Sequence, residues 1–183
     1  MARWGSVDFR ELKKLQKQLE QMERVEFQKF CQSCAKELAA RLLAKVIHRT
    51  PVADYNKPVN FTTKDGKKVS FTPKTGMQGG TLRRGWTAKT EQEAMAGGGS
   101  ISPNSALTFA KGLEVTKQGD VYQVEIINPV HYASYVEYGH RTKNHKGWVE
   151  GHFMLTISEE ELDRQAPQIL ERKLAKFLGD IMK

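Results

Sequence analysis

Cysteine is scarce in this chain of 183 residues. Cys31 and Cys34 are the only two, too few for a disulfide framework. Long apolar runs are missing too. No stretch approaches the roughly 18 residues that a membrane-spanning helix needs, so no membrane partner is expected. The opening Met1-Ala2-Arg3-Trp4-Gly5-Ser6-Val7-Asp8 lacks the apolar centre of a signal peptide, which predicts a chain that stays in the cytoplasm in which it is made. The usual signatures of chemistry are also lacking. There is no G-x-S-x-G, no H-E-x-x-H, no phosphate-binding P-loop and no G-x-G-x-x-G. No enzyme activity, cofactor or metal is therefore expected.

Positive charge is abundant. Lys and Arg number 29 against 21 Asp and Glu, a net charge of +8. It is spread unevenly: 21 of the 29 basic residues fall within residues 1–118, and the remainder carries more acidic than basic side chains. Such a division suits either an anionic partner for the front or head-to-tail contact between copies. The length fits one domain, 1–183, with room for a real core.

The first element is long. Asp8 is placed to cap a helix, with Glu11 reaching back as in a capping box. Leu12, Leu15, Leu19 and Met22 recur at three- and four-residue steps, and the pattern runs on through Phe30, Cys34, Leu38, Leu42 and Val46. No Gly or Pro interrupts it before Pro51. The spacing predicts a helix over 9–49, near 60 Å long, with Lys45, His48 and Arg49 in a last turn that favours cations. One domain of this size can hardly cover it. The part over 9–25 is expected to project or to pack on a neighbouring subunit.

The middle, 57–128, reads as β-rich. Val59, Phe61, Val69 and Phe71 flank the turn signal Asp65-Gly66, which predicts a projecting hairpin. Leu82, Trp86 and nearby threonines suggest another strand. Residues 96–106 lack periodicity and read as a loop. Leu113–Thr116 and Val121–Ile127 make a second hairpin around Lys117-Gln118-Gly119-Asp120, ended by Asn128-Pro129. Helices return over 153–182. Ser158 and Glu161 fit a capping box, with the alternative that the apolar run Phe153, Met154, Leu155 and Ile157 is already helical; Pro167 breaks, kinks or restarts the helix, and Ile169, Leu170, Leu174, Phe177, Leu178 and Ile181 form an apolar stripe. The fold class is α+β: a long N-terminal helix, a small, mostly antiparallel sheet with a projecting hairpin, and C-terminal helices.

Several clusters invite a chemical reading. Cys31-Gln32-Ser33-Cys34 has redox-motif spacing, but it falls in mid-helix rather than at a helix N-terminus, so packing is the expected role. His131, His140, His145 and His152 match no compact metal-ligand spacing. Lys64, Lys67, Lys68 and Lys74 cluster on the first hairpin, followed by Arg83, Arg84 and Trp86. This 64–84 region is a candidate subunit contact or, alternatively, a non-specific nucleic-acid surface, although no recognised nucleic-acid-binding motif accompanies it. The densest segment is 128–140. There Tyr132, Tyr135 and Tyr138 surround Glu137, with His131 and His140 at hand. Aromatic residues with polar tips suit a ligand pocket or a wet protein interface. Gly139 suggests a helix C-cap or a tight turn, and Glu137 is expected to bind a basic group such as Arg83 or Arg84.

These residues carry a resemblance. Thr50-Pro51-Val52, Lys74-Thr75-Gly76, Gly80-Thr81-Leu82-Arg83-Arg84-Gly85-Trp86 and Asn128-Pro129-Val130-His131-Tyr132-Ala133-Ser134-Tyr135-Val136-Glu137-Tyr138-Gly139-His140 resemble the HK97 gp10-like family of tailed-bacteriophage tail or neck components. The Tyr132-Ala133…Tyr135-Val136-Glu137-Tyr138-Gly139 run is the most specific part. The ending, Gly151-His152-Phe153-Met154-Leu155 and the Glu-rich helix after it, looks most like members from myovirus-type prophages. Residues 53–73 and Met77-Gln78-Gly79-Gly80 lengthen the family pattern. The resemblance implies a structural virion protein, assembled in the host cytoplasm, that forms a homo-oligomeric ring at the head-proximal end of the tail. Sixfold symmetry is common in such rings. Implied partners are tail tube, sheath or terminator proteins and the head connector, with DNA in the ring lumen. It implies no catalytic residue.

Overall fold

The computed structural model describes residues 10–54, 57–63, 65–72, 79–100, 102–142 and 144–181. Helix α1 (Arg10–Arg49) has the predicted length and stops where expected. Thr50 closes it, with both its amide and its hydroxyl donating to the Val46 carbonyl, at 2.8 and 2.7 Å, and Pro51 forbids another turn. The proposed Asp8 cap lies outside the described residues, as do Lys64 and Lys74.

The β-structure is three separate antiparallel ribbons. β1 (Val59–Thr62) and β2 (Lys68–Phe71) pair around Asp65-Gly66, in the register Val59↔Phe71 and Thr62↔Lys68. β3 (Thr116–Gln118) and β4 (Val121–Gln123) form the second hairpin, shorter than predicted, with Gly119-Asp120 alone as its turn. Its expected outer residues leave the ladder because Leu113, Val124 and Ile126 turn onto the helical core. The third ribbon, β5 (Gly139–Arg141) with β6 (Trp148–Glu150), was not foreseen.

Residues 81–85 overturn the strand expected around Leu82 and Trp86. They form a short helix, α2 (Thr81–Gly85). Leu82 and Trp86 are four apart, so one helical face carries both into the core, where they are 5% and 4% exposed. α3 (Glu91–Met95) follows. Thr90 Oγ1 accepts from the Glu93 amide, and Glu93 answers by accepting from the Lys89 amide, a local cap that needs no tertiary help. The segment read as a loop to Ala106 holds a 3-10 turn at Pro103–Ser105. It leads into α4 (Ala106–Lys111), whose Ala106 and Ala110 are buried.

α5 (Ala133–Tyr138) is one and a half turns long. α6 (Met154–Ile181) runs through Pro167 as one helix. The capping-box reading of Ser158 and Glu161 fails. Ser158 is buried inside the helix and donates to the Met154 carbonyl at 2.6 Å. Glu161 faces α1, where it receives Lys45 at 2.9 Å and Arg49 at 2.6 Å. Further along, Lys173 reaches Glu37 at 2.8 Å and the Ser33 carbonyl at 2.9 Å. Phe177 stacks on Phe30 with ring centres 4.5 Å apart. α6 thus lies antiparallel along the C-terminal half of α1.

The core gathers Ala39, Ala40, Leu43, Val46 and Ile47 of α1 with Leu82, Trp86, Ala106, Ala110, Val130 and Met154. Its many alanines let helices approach closely without leaving voids. Leu38 and Leu42, predicted as core, are only half-buried, because α4 and α6 both pack on α1 and draw its Ala39–Leu43–Ile47 line innermost. Val25 and Phe27 remain about half exposed, at 49% and 53%, as expected for a helix longer than its cover. No helix among the described residues is long and apolar enough to cross a membrane.

The α1–α6 ion pairs make a pH prediction. Hydrogen bonding from Lys173, then from Arg41, holds the Glu37 carboxyl below its ordinary range, and Lys45 with Arg49 does the same for Glu161. A carboxylate depressed in the folded state contributes stability that is whole above the unfolded Glu value near 4.3 and is lost as pH falls through the folded value. The thermal midpoint should therefore gain nothing from these two groups between pH 5 and 7 and should fall on acidification below about pH 4. A Glu37→Gln/Glu161→Gln double variant should show a shallower acid limb in a pH series of melts. An unchanged limb would dismiss the two pairs as contributors.

Candidate functional site

Segment 128–140 is held from both sides. Asn128 comes first. Its Nδ2 donates to the Leu82 carbonyl at 2.9 Å, and its Oδ1 accepts from the Val130 amide at 3.2 Å. The segment is thereby tied to α2, and Val130 is seated in the core, 2% exposed. α5 then turns Ala133 and Val136 partly inward against the core and buries Glu137 at 5% exposure.

Glu137 is not paired with Arg83 or Arg84, which corrects the sequence expectation. Its carboxylate accepts from the amides of Leu155 and Thr156, both at 2.9 Å, and from the Thr156 hydroxyl at 2.8 Å. These amides open α6. A helix N-terminus offers free donors and partial positive charge, and Phe153 just ahead of it has no side chain able to cap. Glu137 supplies that cap from another helix. The favour is returned: the carbonyls of Val136 and Glu137, at the end of α5, accept from the amides of His152 at 2.7 Å and Phe153 at 3.0 Å. Two helix ends cap each other across the β5–β6 ribbon.

Two glycines make the clasp possible. Gly139 leaves α5 at a φ of +83°, open mainly to glycine. A Cβ on Gly151 would collide with the Glu137 carbonyl. Phe153 takes a φ of +47° despite its side chain, a strain that the hydrogen bond from its amide to Glu137 helps to hold.

The two arginines serve other helix ends. Arg83 donates from Nε and Nη2 to the Thr50 carbonyl, at 3.0 and 2.5 Å, just past the end of α1. Arg84, 8% exposed, donates to the Ala94 carbonyl of α3 at 2.8 Å and to the Gly79 carbonyl at 3.1 Å. Cations suit carbonyl ends for the same electrostatic reason that Glu137 suits an amide end. Trp86 completes the corner, its Nε1 donating to the Thr50 hydroxyl at 2.8 Å. Every buried side-chain polar atom among the described residues finds a partner.

Around the clasp several large apolar side chains are exposed. Tyr135, Tyr138, Trp148, Val149, Phe153 and Ile157 are all exposed, Tyr138 and Trp148 by 61% and 59%. Beside them lies an open groove of about 420 Å³ between the Pro51–Ala53 stretch, Leu82, and the side chains of Tyr132, Tyr135, Val136, His140 and Val149. Aromatic side chains are enriched at protein interfaces relative to the rest of a protein surface. Lys67 and Lys68 are exposed on the β1–β2 ribbon. With Arg83 and Arg84 engaged internally, these two are what the described residues leave of the basic 64–84 region as a surface.

No group of His, Cys, Asp and Glu able to hold a metal occurs among the described residues. Cys34 is buried, which pushes its thiol upward and makes it unreactive. Trp148 and Thr156 were not singled out by sequence, and Phe153 was noted only for the C-terminal helix and the family resemblance. The available signal was the α6 N-terminus itself, which lacks a local cap and therefore required one from elsewhere.

A family model described as "Bacteriophage HK97-gp10, putative tail-component" matches residues 13–139. No curated protein matches the chain, and no solved structure does.

Proposed function

The chain belongs to the HK97 gp10-like family of bacteriophage tail components, and on that premise we propose that it forms a ring, sixfold in symmetry, at the head-proximal end of the tail. There it completes the tail or joins it to the head. Its neighbours in this reading are tail tube, sheath or terminator proteins on one side and the head connector on the other, with DNA passing through the lumen. Its place is the virion.

The observation that carries the reading is the exposed aromatic rim on the family's own signature segment. Tyr135 and Tyr138 of α5 are exposed, as are Trp148 and Phe153, while Glu137 between the two tyrosines is turned inward to fix α6. A stretch that spends its charged residue on rigidity and presents its rings to water is suited to a partner surface. The half-exposed Val25 and Phe27 of α1 point the same way.

Electron microscopy of intact particles tests this. A closed ring of this chain between the tail tube and the connector is the expected result. Density for the chain at the distal end of the tail, or as a single copy per particle, would overturn it.

A further inference from the structure

The chain carries a cationic groove and, elsewhere, an exposed acidic helix face. A second groove, of about 800 Å³, lies over α1 between α4 and the C-terminal half of α6. Its floor is apolar, from Ala40, Ala44, Ala106 and a Leu107 that is 59% exposed. Its rim is cationic: Lys36, Arg41, Lys111 and Lys173 surround one carboxylate, Glu37. That carboxylate is already shared by Arg41 at 2.9 Å and Lys173 at 2.8 Å. Lys36 and Lys111 make no ion pair among the described residues; Lys36 reaches only a backbone carbonyl. Such a site accepts carboxylates on an amphipathic surface.

The same chain carries that surface elsewhere. On the N-terminal half of α6, Ile157, Glu159, Glu160 and Asp163 are exposed, and residues three and four apart share one helical face. None of the three acids forms an ion pair among the described residues, whereas Glu161, one position on, is consumed by α1. We propose that this acidic face of one copy docks in the cationic groove of the next, Ile157 against Leu107 and the alanine floor, and Glu160 and Asp163 against Lys36 and Lys111. The two surfaces are different, so the contact is heterologous and repeats around a closed ring. The inference rests on the ring reading above and names its subunit contact.

Two charge-reversed variants test it: Lys36→Glu/Lys111→Glu in the groove, and Glu160→Lys/Asp163→Lys on α6. Self-association is followed by sedimentation velocity at low salt, with thermal melts to show that each variant is folded. The full chain should associate and dissociate as salt is raised. Each variant alone should associate at least ~100-fold more weakly, since like charges then face each other. Mixing the two variants should restore assembly. Full association by either folded variant alone, or no rescue on mixing, would overturn this contact while leaving a ring intact. A full chain that stays monomeric at high concentration and low salt would overturn both readings.

Discussion

Replacing Glu137 by Ala is expected to lower the stability of the fold by about 3–4 kcal/mol. Two partly buried amides lose their acceptor at roughly 1–3 kcal/mol each, and α6 loses a charge at its positive end, a further effect of up to ~1 kcal/mol; relaxation and water entry offset part of that sum. Against a total stability of roughly 5–15 kcal/mol this is a large share. Glu137→Gln keeps the shape and an accepting oxygen. It should cost only about 1–1.5 kcal/mol, the difference between a charged and a neutral acceptor. Chemical denaturation of the three proteins checks both values. Wild-type behaviour of the Ala variant would mean that α6 does not depend on this cap. A charge-partner role for Glu137 would instead have predicted that the swapped pair Glu137→Arg/Arg83→Glu regains the stability lost by Glu137→Arg alone. The observed bonds predict that it does not.

Trp86→Ala should cost a similar amount, about 4 kcal/mol, by leaving a cavity where α1, α2 and Val130 meet. Trp86→Phe keeps most of the packing and removes the indole donor to Thr50. Its expected cost is about 1–1.5 kcal/mol. Calorimetry on the parent chain and the two variants, Trp86→Phe and Trp86→Ala, separates the two contributions. Equal losses for both substitutions would place the whole effect in the hydrogen bond rather than in the volume.

Elements governed by near neighbours were legible in the sequence. α1 was, because forty residues hold a helical period without Gly or Pro and then meet Pro51. The β1–β2 ribbon was, because Asp65-Gly66 dictates the turn. α2 was misread because Thr and Trp favour strands in isolation, whereas Leu82 and Trp86 are placed by the core and Arg83 and Arg84 by carbonyls outside their own helix. The β5–β6 ribbon was missed because Gly139-His140-Arg141 and Trp148-Val149-Glu150 show no alternation of apolar and polar residues; both strands are largely exposed. The 128–140 segment was singled out, yet the partners of Glu137 within it were not. Charge pairing suggests an arginine for Glu137, while its true partners are backbone amides, which no side-chain pattern records.

The α1–α6 contact also sets an order of events at the ribosome. All three ribbons pair residues close in sequence, but Lys45 waits for Glu161, 116 residues further on. At 5–20 residues per second, that interval lasts roughly 6–23 s. During it the apolar line of Ala39, Leu43 and Ile47 is made and has no second long helix to cover it. Until Leu82, Trp86 and α4 dock on it, that stripe is the most exposed apolar surface of the nascent chain.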